Sequence, residues 1–134
     1  MELSKSSYIH PSIFLPKITR MTFSKVAIGK EAELKATHFL QQKGYVLLAS
    51  NYRYGKGEID LIMKDGEVLV FVEVKARKND CYGYPEQWVS RKKMDMIYQT
   101  AEGYMLQHGW VGRIRFDILA VSGESGCYHL QDIS

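Results

Sequence analysis

The residues that could do chemistry in this chain are two acids and a lysine, Asp60 and the Glu73-Val74-Lys75 triplet. Carboxylates held close together attract a hard divalent cation such as Mg2+, which selects oxygen ligands. A lysine beside them can stabilise charge that builds up on an attacked centre. Whether they meet depends on the segment between them. Lys64-Asp65-Gly66-Glu67 separates two strand-like runs, Ile59 to Met63 and Val68 to Lys75, and Asp-Gly between apolar runs is a strong hairpin signal. With Asp65-Gly66 as a two-residue turn, Lys64 faces Glu67, Ile62 faces Leu69, Asp60 faces Phe71 and Glu58 faces Glu73. Opposed residues share a face, and so do residues two apart. Glu58, Asp60, Phe71, Glu73 and Lys75 then point to one side, and Val68, Val70, Val72 and Val74 to the other with Ile59 and Leu61. Three like charges on one face repel. A divalent metal would remove the conflict; a solvated face carrying a Lys–Glu pair is the alternative.

Two helices bring further charges toward that face. The spacing predicts a helix from about Lys25 to Lys43, closed by Gly44, with Glu33 on the stripe of Ala36 and Leu40. A second helix runs from about Ser90, a natural N-cap, to Gln107. Its inner stripe is Val89, Ile97, Ala101 and Tyr104, and Lys93 falls in line with them. A lone inward charge is often a snorkelling side chain, yet here both helices aim one beside the same carboxylates. Tyr45 to Ser50 reads as a strand, Asn51 to Gly57 as a basic connection, Asn79 to Pro85 as a loop, and Arg113 to Val121 and Cys127 to Ile133 as closing strands. The order is α-β-β-β-α-β-β. Residues 1 to about 22, with scattered serines and prolines, read as an arm outside a single domain over 23–134, and Met21 is a second candidate start.

With 134 residues, 46% hydrophobic and 25% charged, the chain suits one soluble domain with a real core. The net charge of +3 is mild, so any anionic partner is met by a local patch. Cys81 and Cys127 lie far apart and match no metal spacing, which suits a reducing, cytoplasmic setting. The four histidines are scattered, which argues against zinc, and the longest apolar runs are too short to span a membrane.

The motifs then fall into a known series. Glu33-x-x-Ala36-x-x-Phe39-Leu40, Gly44-Tyr45, Asn51-Tyr52-Arg53, Gly57-Glu58-Ile59-Asp60-Leu61-Ile62, Phe71-Val72-Glu73-Val74-Lys75-x-Arg77, Val89-Ser90-x-x-Lys93 and Arg115-Phe116-Asp117 resemble, in order, the YraN family of bacterial endonuclease-like proteins. That family is similar to the PD-(D/E)XK nuclease superfamily. The resemblance covers about Ser24 to Val121. It departs in two places: Ala32 stands where a glycine is expected, and Ile59 replaces the proline of the superfamily's name.

What the resemblance implies is an α/β, restriction endonuclease-like core with a central mixed sheet and flanking helices. It implies one Mg2+, or Mn2+, held by Asp60 and Glu73, with the Val74 carbonyl as a further ligand and Glu33 beside it directly or through water. Lys75 would orient the attacking water or stabilise the phosphorus centre, and Lys93 would contact a phosphate. Arg53, Lys56, Arg77, Lys78, Arg91 and Lys92 flank the motifs and are candidates for backbone phosphate contacts; a solvated basic surface is the alternative. Tyr52, Tyr54, Tyr82, Tyr84 and Trp88 interleave with them, as base-stacking residues or as core and rim aromatics. Three functions compete: a metal-dependent nuclease acting on DNA, branched or single-stranded forms included; a nucleic-acid-binding module of the same fold without turnover; and a protein-interaction scaffold. A monomer and a dimer are both compatible with the sequence.

Overall fold

Apolar residues in near-continuous runs predict strands covered on both faces, and that is what the protein builds. The computed structural model describes residues 17–77, 89–123 and 126–133, with side chains from Ala27 onward except Arg77. The chain divides into two compact units, Met1–Glu31 and Ala32–Ser134. The elements are α1 (Lys17–Gln42), β1 (Val46–Tyr54), β2 (Gly57–Asp65), β3 (Val68–Arg77), α2 (Arg91–His108), β4 (Ile114–Ser122) and β5 (Gly126–Leu130). Among the described residues no helix is long and apolar enough to cross a membrane.

The five strands form one mixed sheet in the order β1-β2-β3-β4-β5. β3 and β4 are parallel and the other neighbours antiparallel. A parallel pair needs a crossover, and α2 lies in it. This is the restriction endonuclease-like layout expected from the motifs. One face of the sheet packs Leu61, Met63, Val70, Val72, Leu119 and Val121 against Ala32, Ala36 and Leu40 of α1. The other packs Ile59, Ile62, Leu69, Phe71 and Phe116 against Ile97, Ala101 and Tyr104 of α2.

Several local expectations are corrected. The first helix begins at Lys17, not near Lys25: no glycine or proline lies between Pro16 and Gly29, so nothing stops propagation toward the N-terminus. Asn51–Tyr54 continues β1 instead of forming a connection, and the chain turns at Gly55 (φ 62°). The β2–β3 hairpin turns on Gly66-Glu67, with Asp65 opposite Val68, Ile62 opposite Phe71 and Leu61 opposite Val72. Gly66, at the first turn position, carries the positive φ (63°) that a primed turn requires. The register is thus displaced by two from the Asp65-Gly66 turn. A displacement of two preserves the face of every side chain, so the valines of β3 still face α1. Ile59 is the exception, packing toward α2 while Leu61 packs toward α1. Helix α2 follows its sequence signals. The Ser90 hydroxyl accepts the Lys93 N–H, and Gly109 closes the helix in the left-handed conformation. The Asn79–Pro85 loop lies outside the described residues.

A polar network ties the C-terminal segment to the sheet. Asp117, its side chain fully buried, receives Arg115 Nε and Nη2 at 2.9 Å each, His129 Nε2 at 2.8 Å and the Asp132 amide at 2.9 Å. Because Nε2 donates, Nδ1 of His129 is left to accept from Lys43 Nζ, 2.8 Å away. Arg115 also reaches Asp65 (3.1 Å) and the Tyr45 hydroxyl (2.7 Å). Burial alone would raise the Asp117 pKa, but the His129, Arg115 and Asp132 donors outweigh it and hold it below the usual carboxylate range.

Two predictions follow from this packing. A Cβ on Gly103 would lie 2.4 Å from the Tyr54 ring. Glycine to alanine inside a helix ordinarily stabilises by about 1 kcal/mol, but overpacking costs about 1–3 kcal/mol. Gly103→Ala should therefore cost a net ~1 kcal/mol and lower the melting temperature by roughly 3–5 °C, read by circular dichroism. Asp117→Asn should cost about 1–3 kcal/mol in urea unfolding at neutral pH, since it removes the buried charge that Arg115 and His129 share while Arg115 keeps its pair with Asp65.

Candidate active site

The sheet is forked. The β2–β3 pairing ends at Leu61 opposite Val72, yet β2 continues beside β1 to Gly57 and β3 continues beside β4 to Arg77. The acids stand in the opening. Oδ2 of Asp60, from β2, accepts the backbone N–H of Val74 at 2.8 Å, a group that a regular ladder would give to a β2 carbonyl. Glu73, only 8% exposed, comes from the same stretch of β3.

Two ammonium groups converge on one oxygen of Glu73. Lys75 Nζ lies 3.4 Å from Oε2, and Lys93 Nζ, from the first turn of α2, lies 3.6 Å from the same atom. Among the described residues Asp60 has no such partner. Burial first, and then the Glu73 charge, push its pKa up to about 7, with Glu33 adding to the rise. The Val74 amide and Lys93 pull the other way without cancelling it. The third carboxylate, Glu33 on α1, is half-buried, and both its oxygens receive Asn51 Nδ2, at 3.1 and 3.2 Å.

Asp60, Glu73, Lys75, Glu33 and Lys93 are thus brought to one place. Glu58 is not. It was expected opposite Glu73, but the register is displaced and β2 twists at Asp60, so Glu58 pairs with Arg53 at 3.4 Å instead. The Val74 amide goes to Asp60, while its side chain packs on the α1 side of the sheet. Arg53 and Lys56 flank the exposed β1–β2 turn, at the end of the sheet where β3 terminates. Arg91 and Lys92 are exposed in the same turn of α2 as Lys93. The Arg77 side chain and all of Lys78 lie outside the described residues, as do Tyr82, Tyr84 and Trp88. Tyr52 is committed to packing: its ring meets Tyr104 edge-on at 5.1 Å and its hydroxyl bonds Gln107.

The sequence reading missed Asn51 as part of this constellation. Its signal was faint, since asparagine is the residue other than glycine that most readily takes left-handed backbone, and Asn51 has φ 49°. Among the described residues no three His, Cys, Asp or Glu side chains form a ready-made metal cage. Mg2+ commonly takes one or two carboxylates and keeps several waters, so the Asp60–Glu73 pair is a donor set that fits it. The under-compensated charge on Asp60 is what such a cation would balance.

Known proteins are similar to this chain over most of its length. The pattern of "Uncharacterised protein family UPF0102" matches residues 32–121. A UPF0102 protein of Cytophaga hutchinsonii is 47% identical over 106 residues, covering 79% of this chain and 94% of the relative. One of Persephonella marina is 38% identical over 105 residues (78% and 90%), and one of Vibrio vulnificus 39% over 102 residues (74% and 84%). The matched span runs from the buried start of the Glu33 helix segment, through the forked strands, to the end of the β4 core, and on that extent and identity the chain belongs to the UPF0102 family, the YraN family its motifs resemble.

Proposed function

We propose that the chain is a cytoplasmic, divalent-metal-dependent nuclease that hydrolyses phosphodiester bonds of DNA, with branched and single-stranded forms the first substrates to test. The observation that carries this reading is Asp60: a half-buried carboxyl that among the described residues has no ion-pair partner, beside a second carboxylate, at the open end of a sheet. Mg2+ or Mn2+ bound there would supply an activated water and charge stabilisation on the phosphate. Asp60 and Glu73 would hold the ion, with the Val74 carbonyl as a further ligand. Lys75 Nζ, 3.4 Å from Glu73 Oε2, would meet charge on the attacked phosphate. Lys93 meets the same or the adjacent phosphate. Arg91, Lys92, Arg53 and Lys56 supply contacts along the backbone on either side of the fork, with Arg77 and Lys78 continuing them in sequence.

A second reading has one observation in its favour. Both ammonium groups already balance Glu73, which suits a nucleic-acid-binding module that never turns over. Incubation with labelled duplex, single-stranded, flap and four-way DNA, with Mg2+ or Mn2+ against EDTA, separates the two. Metal-dependent cleavage supports the nuclease; binding of every substrate without cleavage replaces it with the binding module.

Two predictions accompany the reading. The folded-state pKa of Asp60, about 7, lies above that of an unfolded carboxylate near 4. The folded chain therefore holds an extra proton between those values, and metal-free protein should lose stability as pH rises through that window. Asp60→Asn should flatten this slope and, in EDTA at pH 8, be more stable than the unsubstituted protein by about 1–3 kcal/mol. It should also lose the rise in melting temperature that Mg2+ or Mn2+ gives. An unchanged metal response in that variant rules the site out.

Lys75→Ala should slow single-turnover cleavage by about a hundredfold or more, with DNA affinity changed only a few-fold, because one phosphate contact among several contributes little to affinity. Arg91→Ala should do the reverse, weakening binding to all sequences and sparing the rate at saturation.

A further inference from the structure

The proposed chemistry leaves Asn51 without a part. Its φ of 49° lies in the left-handed region, in the middle of β1, where extended backbone is the rule. Among the described residues only one other non-glycine, Asp132, has a positive φ. The conformation has a visible consequence. Ala49 and Tyr52 both pack toward α2, although alternation would place them on opposite faces. Across the ladder, Ile62 and Ile59 do the same. The side-chain order of both strands therefore steps at one level, the level of Asn51 and Asp60.

The step sends the Asn51 side chain to α1, where its Nδ2 meets Oε2 of Glu33 at 3.1 Å and Oε1 at 3.2 Å. A glutamate beside two other acids should turn to solvent, since like charges repel. Glu33 stays, half-buried, close enough for its charge to act on Asp60. Each of its oxygens receives only part of one amide donor, so both keep lone pairs for a further donor.

We infer that Asn51 is a positioning residue: its strained backbone turns its amide onto Glu33 and holds that carboxylate at the Asp60–Glu73 site. This rests on the metal-site reading of those two acids. With no three acids forming a direct cage among the described residues, Glu33 would accept from a water of a bound ion, and Asn51 would fix where that acceptor stands. Partners of this kind are worth about 10–100-fold in metal affinity.

The test uses the full chain with Mn2+ as the probe. Asn51→Gly removes the amide and relieves the backbone, so folding is kept. A residue present only to accommodate a turn would be fully replaced by glycine. The expected result is a melting temperature in EDTA equal to or above that of the unsubstituted protein, with Mn2+ affinity by calorimetry weakened about tenfold, as in Glu33→Gln. The double variant should bind no more weakly than Glu33→Gln alone, because the two residues act as one unit. Wild-type affinity in Asn51→Gly, or losses that add in the double variant, would overturn the inference. A metal-free arm stands apart from the nuclease reading: the side-chain amide NMR signals of Asn51 should move on Glu33→Gln, and unmoved signals show that the tether does not form. If the unsubstituted protein binds no Mn2+, the functional reading falls and the NMR arm alone decides the tether.

Discussion

One backbone N–H organises the candidate site. A buried amide must find an acceptor, and in a regular sheet the Val74 amide would take a carbonyl of β2. It takes the carboxylate of Asp60 instead. That exchange lets β2 and β3 part after Leu61 and Val72 without stranding a donor, and everything else in the site uses the gap. Glu73 and Lys75 emerge along one side of it, Asp60 along the other, and the two helices contribute Glu33 and Lys93 from opposite faces of the sheet. The exchange has a cost, because a carboxylate that serves as a strand's acceptor is taken out of water.

The same residue type is treated in opposite ways elsewhere in the sheet. Asp117 is more deeply buried than Asp60, yet it is held ionised by an arginine fork, a histidine and a backbone amide. Among the described residues Asp60 has one backbone donor, and the charges of Glu73 and Glu33 act on it against that of Lys93. Two carboxyls whose surroundings push their pKa values apart mark two jobs. One fastens the C-terminal segment to β4; the other is left electrically unfinished, as a group is when it awaits a partner.

The sequence disclosed the parts of this protein that depend on local signals. Ser90 opens α2 as its N-cap, and the alternating valines of β3 mark the face that packs on α1. The faces survived an error in the hairpin register, because the turn at Gly66-Glu67 displaces the pairing by two, the period of a strand. What was not legible depends on partners far apart in the chain. Glu58 looked like a site residue until β2 was seen to twist. Asp117 was only a motif letter beside Arg115, because its other partners, His129 and Asp132, come from the C-terminal segment that only folding brings to β4. Asn51 read as part of a loop, since nothing local says that a left-handed residue will interrupt a strand in order to face a helix.

That interruption also matters for the rim of the sheet. Among the described residues β1 is an outer strand, paired with β2 alone, and it exposes Val46 and Leu48. A long, flat, apolar rim of this kind is a template for pairing with another chain. Here the pairing slips by one residue between Leu47 and Ala49, and left-handed backbone follows at Asn51. Two irregularities so close together leave no run of evenly spaced amides and carbonyls long enough for a foreign strand to match. The kink that aims an amide at Glu33 therefore also blunts the rim against self-assembly, so a variant that straightened β1 would expose the protein to aggregation while leaving its core unchanged.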